Sequence, residues 1–247
     1  MATLVVTGGS RGIGAAVCLA AAAAGWDVVV DYVRDEAAAT DVVRRILAAD
    51  GHALAVRADA SDGADVEALF AAADSWRGPV TGLVNNAGIS GGVARVDEVT
   101  ASAIADVLAV NVAGPFLCAG AAVRRMSTRN GGSGGSIVNV SSRAAVLGSP
   151  GEWVHYAASK AAVDTLTVGL AREVATEGVR VNAVAVGLVD TDFHTSSGEA
   201  DRPGRIRPTV PIERSGTPEE VATAVVWLLS DAASYTTGTV VAVSGGR

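Results

Sequence analysis

Lysine is almost absent from this chain: of 19 basic residues in 247, only Lys160 is a lysine. Cysteine and histidine are scarce as well, with two and three copies, and aromatics make up 4%. Cys18 and Cys118 lie in apolar, helix-like stretches with no companion ligands nearby, which argues against a disulfide scaffold and against a metal site. Two buried thiols in a reducing cytoplasm are the expectation. Charged residues are few, 18% for a net charge of −7, and apart from Arg44–Arg45 and Arg124–Arg125 the arginines are scattered. That pattern predicts no nucleic-acid partner. Long hydrophobic runs are missing too. The longest uncharged stretch, Val107 to Val123, is short for a membrane span and contains Asn111, Gly114 and Pro115, so it reads as a buried helix. No basic segment leads into an apolar one at the N-terminus, because Leu4–Thr7 runs straight into glycines, and no export signal is expected.

What the chain does have is apolar bulk and glycine: 49% hydrophobic residues and 29 glycines, with a mean hydropathy of +0.36. Such a composition predicts a compact globular protein, and no linker divides it, so residues 1–247 are expected to form a single domain. Short β-branched runs alternate with alanine-rich segments. Strands are expected at Thr3–Thr7, Asp27–Asp31, Ala53–Arg57, Gly82–Asn85, Ser136–Val140, Arg180–Val186 and Thr239–Val243. Helices are expected at 12–24, 35–49, 63–75, 101–127, 157–177 and 218–230. Thr217, Pro218 and Glu220 mark the start of the last with a capping box. The strands read as continuous apolar runs, as strands covered on both faces do. The alternation predicts an α/β fold of Rossmann type, a doubly wound parallel seven-stranded sheet with helices on both faces. The polar stretch 190–211 follows a strand, where open α/β sheets bind ligands, and is expected to be a substrate lid; a plain loop is the alternative.

Thr7-Gly8-Gly9-Ser10-Arg11-Gly12-Ile13-Gly14 follows the first strand and opens the first helix. Glycines let the backbone turn tightly and approach a phosphate, and a helix N-terminus offers free amides. Lys160 falls four residues after Tyr156, one helical turn, so ammonium and phenol share a face. A neighbouring cation lowers a phenol pKa from about 10, as proton exchange near neutrality requires.

Five motifs in order carry a resemblance to the short-chain dehydrogenase/reductase family, in its short single-domain branch. They are the glycine loop, Asp59 after the third strand, Asn85-Asn86-Ala87-Gly88 after the fourth, Ser141-Ser142 after the fifth, and Tyr156 with Lys160; Asn111 in the long central helix joins them. The resemblance spans nearly the whole chain and is similar in detail to sugar-dehydrogenase-like and 3-oxoacyl-reductase-like members. It implies that Gly8, Ser10, Arg11, Gly12, Ile13 and Gly14 shape the dinucleotide phosphate turn. It implies that Asp59 and Ala60 meet the adenine, with a helix N-cap as the other reading of Asp59, and that Asn86, Ala87 and Gly88 line the adenosine ribose. Gly187, Val189 and Thr191 are implied at the nicotinamide carboxamide. Val186 stands where the family usually has proline, which implies a looser turn there. Catalysis is implied for Ser142, Tyr156, Lys160 and Asn111: proton donor Tyr156, carbonyl-orienting Ser142, ribose-binding and pKa-lowering Lys160, and Asn111 holding a relay water. Adjacent strand residues point opposite ways, so only one of Ser141 and Ser142 can face the site; the resemblance implies that it is Ser142.

The slot for an acidic residue that binds the ribose 2′-hydroxyl holds Tyr32, with Asp31 one position earlier. Arg11 and Arg34 are near enough in sequence to clamp a 2′-phosphate, so the cofactor is expected to be NADP(H), with NAD(H) as the alternative should Asp31 turn toward the ribose. A small carbonyl or secondary-alcohol substrate is implied, facing Arg143, Ala144, Trp153, His155 and Phe193–His194, in a cytoplasmic homotetramer of the kind common in the family. A dinucleotide-binding sensor or scaffold with little activity is the competing reading, supported by Val186. An epimerase or dehydratase on the same fold is disfavoured, since such chains usually carry an added domain.

Overall fold

The computed structural model describes residues 2–199 and 201–247; the side chains of His194 and Ser196 lie outside the description. Its strands are β1 (Thr3–Val6), β2 (Asp27–Tyr32), β3 (His52–Arg57), β4 (Val80–Asn85), β5 (Gly135–Ser142), β6 (Val179–Val186) and β7 (Val240–Val243). They form one parallel sheet in the order β3-β2-β1-β4-β5-β6-β7. The order reverses between β1 and β4, which opens a crevice at the carboxyl ends of the strands.

The continuous apolar runs divide by parity. Leu4, Val6, Val28, Val30, Val84 and Val138 join one core, while Val5, Val29, Leu83 and Ile137 join the other. Helices α1 (Gly12–Ala23), α2 (Glu36–Leu47) and α10 (Pro218–Leu229) cover the first face, and α3 (Gly63–Arg77), α5 (Gly114–Met126) and α7 (Val154–Val174) the second. Each fully buried Val or Leu contributes roughly 1.5–3 kcal/mol, so both layers are strongly held. The capping box forms as expected: Thr217 Oγ1 accepts from Glu220 N, and Glu220 accepts from Thr217 N.

The long central helix is not uniform. Helix α4 (Ala101–Leu108) passes through a π-helical turn, Ala109–Ala113, before α5. A wider turn there carries one extra residue and rotates Asn111 inward, where it is fully buried. By length and composition the stretch Ala101–Met126, whose most apolar window has a mean hydropathy of 1.6, would cross a membrane. In this fold one side packs on the sheet, and Ile104, Leu108, Phe116 and Leu117 are left exposed.

Two short helices, α8 (Phe193–Ser196) and α9 (Arg202–Ile206), interrupt the polar segment after β6. The short α6 (Ala144–Leu147) follows β5 and leads into a tight turn, with positive φ at Gly148, Ser149 and Gly151.

Candidate active site

The glycine loop is shaped by collisions that only glycine avoids. A methyl group built on Gly14 would run into the Gly8 carbonyl oxygen, and Gly8 and Gly12 hold φ of +61° and +53°. Arg11 occupies the N-cap of α1 without a side-chain cap, and no acidic residue enters the first turn. The first amides of α1 are therefore left for a ligand, at the positive end of the helix dipole. A cradle of this kind fits the phosphates of a dinucleotide.

Asp31 is directed at the glycine loop. Its Oδ2 accepts from Gly8 N at 3.1 Å, and its Oδ1 has no partner. Burial, seconded by the Asp59 and Asp65 charges, pushes its pKa up to about 7, against the pull of its main-chain hydrogen bonds. Tyr32 packs into the core beside β2, while Arg11 and Arg34 are exposed. Asp59 is held as an acceptor by Ser61 N at 2.9 Å and Ser61 Oγ at 2.6 Å, which lowers its pKa. It does not cap α3; Asp62 does, accepting from Ala64 N and Asp65 N. Ala60 is buried, and its carbonyl faces Gly114 at the π-turn.

Across the crevice, Thr7 Oγ1 accepts from the main-chain amides of Asn86 and Ala87 at 3.0 and 3.1 Å. Asn86 Nδ2 returns hydrogen bonds to the Thr7 and Gly8 carbonyls, both at 3.0 Å. The two walls are thereby locked together at the sheet's reversal. The turned-in Asn111 binds both main-chain groups of Ile89 at 2.8 Å and donates to Ser159 Oγ at 3.0 Å. Gly88 leaves space between Asn111 Oδ1 and Lys160 Nζ, which would lie 3.3 and 3.5 Å from an added Cβ.

The two serines part as strand geometry requires. Ser141 Oγ donates to the Lys160 carbonyl inside the protein, while Ser142 Oγ accepts from Ala144 N at 3.1 Å and lies on the side of Tyr156, whose pKa it draws down. Tyr156 and Lys160 share a face of α7, with Nζ 5.8 Å from the phenol centroid and donating to the Val140 carbonyl at 2.7 Å. Their pKa values run toward each other. Burial pushes Tyr156 up to about 12, opposed by Ser142 and by the charge of Arg202. Burial holds Lys160 down at about 8, opposed by Asp164. The Arg202 charge thus draws the phenol pKa down, in addition to the lysine held 5.8 Å from its ring.

Val186 lies within β6, paired with Ser142 on one side and Val243 on the other. Gly187 N donates to the Val243 carbonyl at 3.0 Å. Ties to β7 thus restrain the turn that lacks proline. Val189 bridges to Gly216, and the Thr191 methyl comes up beside Gly12, closing the far end of the crevice. Trp153, Tyr156 and Phe193 form an aromatic cluster with centroids 5.8–6.0 Å apart. His155 packs toward Gly91 and Val107, its Nε2 without a partner. Arg143 Nε donates to the Arg247 main-chain oxygen, and Ala144 N to Ser142 Oγ. The His194 side chain lies outside the described residues.

Arg202 and Glu152 escaped the sequence reading. Arg202 Nε donates to Glu152 Oε2 at 2.9 Å, and its guanidinium carbon sits 4.0 Å from the Trp153 ring centroid. Fifty residues separate the pair, and neither belongs to a recognisable motif. An arginine in a polar loop carries no local sign of burial; only the Trp153 and Glu152 partners supply one.

The family model described as Enoyl-(Acyl carrier protein) reductase matches residues 8–247. The chain is 51% identical to the Uncharacterized oxidoreductase YgfF of Escherichia coli over 247 residues, all of both chains. It is 39% identical to a 3-oxoacyl-[acyl-carrier-protein] reductase of Synechocystis, covering 98% of this chain and 95% of that one. The crystal structure of a short-chain type dehydrogenase/reductase from Mycobacterium marinum superimposes with a TM-score of 0.93 at 34% identity, covering 99% of this chain and 94% of the other. Sequence and fold agree along the full length: the chain belongs to the short-chain dehydrogenase/reductase family of oxidoreductases, which bind a nicotinamide dinucleotide.

Proposed function

We propose that the protein interconverts a carbonyl and a secondary alcohol using NADP(H), with Tyr156 as the acid/base. The observation that carries this reading is the buried Tyr156 with Lys160 Nζ 5.8 Å from its ring centroid, on the side of the site where Ser142 draws the phenol pKa down. A hydroxyl and a phenol converging there suit a carbonyl oxygen that gains negative charge.

When bound, the dinucleotide supplies or accepts the hydride. Gly8, Ser10, Arg11, Gly12, Ile13 and Gly14 would hold its phosphates. Asp59 and Ala60 would face the adenine, and Asn86, Ala87 and Gly88 the adenosine ribose. Gly187, Val189 and Thr191 would line the carboxamide end. Tyr156 gives its proton to the carbonyl oxygen in reduction and takes it back in oxidation. Ser142 orients that oxygen. Lys160 holds ribose hydroxyls, and Asn111 fixes the main chain at Ile89 so that a water can link Lys160 to solvent.

NADP(H) is favoured over NAD(H) by the inward turn of Asp31 and by the exposed Arg11 and Arg34, whose guanidinium groups suit a 2′-phosphate. The segment 190–211 acts as the lid of a single domain. The exposed Ile104, Leu108, Phe116 and Leu117 suit a subunit contact in a homotetramer. Steady-state assays with NADPH and NADH across aldehydes, ketones and sugars test the reading. Tyr156→Phe is expected to lose at least about 100-fold in kcat while still binding the cofactor. A clear preference for NADH refutes the cofactor assignment, and tight cofactor binding with no turnover on any carbonyl refutes the catalytic one.

A further inference from the structure

Beyond the Trp153 ring from Tyr156, three separate segments line a cavity of about 200 Å³: the turn before α7 contributes Ser149 and Glu152, α9 contributes Arg202 and Ile206, and Arg247 borders it. Its charges do not balance. Glu152 is fully used, Oε2 by Arg202 at 2.9 Å and Oε1 by Arg205 at 2.6 Å; Arg205 also pairs with Glu199. The guanidinium of Arg247 donates to no group among the described residues, and Arg202 uses only its Nε. Burial, then the neighbouring Arg202 charge, holds Arg247 below the ordinary arginine range, against the opposing charge of Glu152. Arg143, the other arginine nearby, donates through Nε to the Arg247 main-chain oxygen and shares the Asp164 charge with Lys160. The side chains of Arg202, Arg205 and Arg247 thus have only Glu152 and Glu199 as carboxylate partners, which leaves unused N–H donors on Arg202 and Arg247.

Guanidinium donors left without acceptors in a partly buried cavity call for an anion. A planar carboxylate meets the fork of a guanidinium with two parallel hydrogen bonds. The volume is several times the roughly 30 Å³ share of one water, enough for a carboxylate and part of its chain. Position sets the rest. Arg202 lies 4.0 Å from the Trp153 ring, which meets the Tyr156 ring edge-on at 5.9 Å. The anion site is thus one indole away from the phenol, too far for a carboxylate attached directly to the reacting carbon.

We propose that Arg202 and Arg247 form a carboxylate subsite, and that the natural substrates are oxo acids or hydroxy acids whose carboxylate lies several atoms, or a ring, from the reacting carbon. This rests on the carbonyl reductase reading above. The probes are 4-acetylbenzoate and its methyl ester, which share one ketone and differ only in the charge at the far end. Wild-type kcat/KM is expected to favour the acid by about ten-fold or more, the discrimination that hydrogen-bonded buried groups provide. Arg247→Gln should lower kcat/KM for the acid about ten-fold more than for the ester, chiefly through KM, and Arg247→Lys should restore part of the loss. An ester reduced as well as the acid, or a preference that survives Arg247→Gln, overturns the subsite and leaves the catalytic reading standing. If neither ketone turns over, calorimetry of the acid against the ester with wild type and Arg247→Gln still decides: charge-dependent binding lost in the variant upholds the subsite, and equal binding overturns it.

Discussion

Asp31 gives a sharp test of how burial is balanced beside the glycine loop. Its carboxylate is buried, with one oxygen on Gly8 N and the other unpartnered. Burial lifts its pKa from 3.8 to about 7, and Asp59 and Asp65 add to the lift. Between those two values the native state holds a proton that the unfolded chain releases. Stability must therefore fall as pH rises, by at most about 1.4 kcal/mol per unit and about 4 kcal/mol in all. The contribution is complete below pH about 4 and gone above about 7. Asp31→Asn stays neutral throughout and keeps an oxygen for Gly8 N. Urea unfolding of both proteins at a fixed concentration, from pH 5.5 to 8, should show the Asp31→Asn variant gaining on the wild type by about 2 kcal/mol across the range. Curves that remain parallel would refute the assignment, because every other group titrates in both proteins.

Three further outcomes are expected. Gly14→Ala would gain about 1 kcal/mol in an ordinary helix, but here its methyl meets the Gly8 carbonyl; loss of cofactor binding in a fluorescence titration checks this. Thr217→Ala removes the capping box of α10 and should lower the unfolding free energy by about 1 kcal/mol. Arg202→Gln removes a charge that lowers the Tyr156 pKa, so the pH profile of alcohol oxidation should move to higher pH, read from kcat/KM across pH 7 to about 10.

What could be read in advance follows the range of the interactions. Strand placement needs only runs of valine and leucine, and the parity that splits Val5 from Val6 is built into the pleat. That Ser141 and Ser142 face opposite ways followed from the same alternation, and the shared face of Tyr156 and Lys160 from helical pitch. The π-turn at Ala109–Ala113 left no mark, since alanines and valines fit an α-helix equally well. Asp59 and Asp62 compete for one cap within four residues, and only the backbone path decides for Asp62. Arg202 was invisible because its partners come from a segment fifty residues away.

The same distinction governs the chemistry. Proximity of ammonium and phenol was legible, but its electrostatic sign was not, because burial acts on both groups and opposes both charges. With Tyr156 at about 12 and Lys160 at about 8, the chain alone presents at neutral pH a protonated phenol beside a mostly charged lysine. A phenol in that state can donate to a forming alkoxide at once, whereas the base needed for oxidation is scarce. Whatever makes the proposed Tyr156 role reversible must therefore add positive charge to the crevice or draw it closer. Arg202, from the segment proposed to act as a lid, already draws the phenol pKa down from that side.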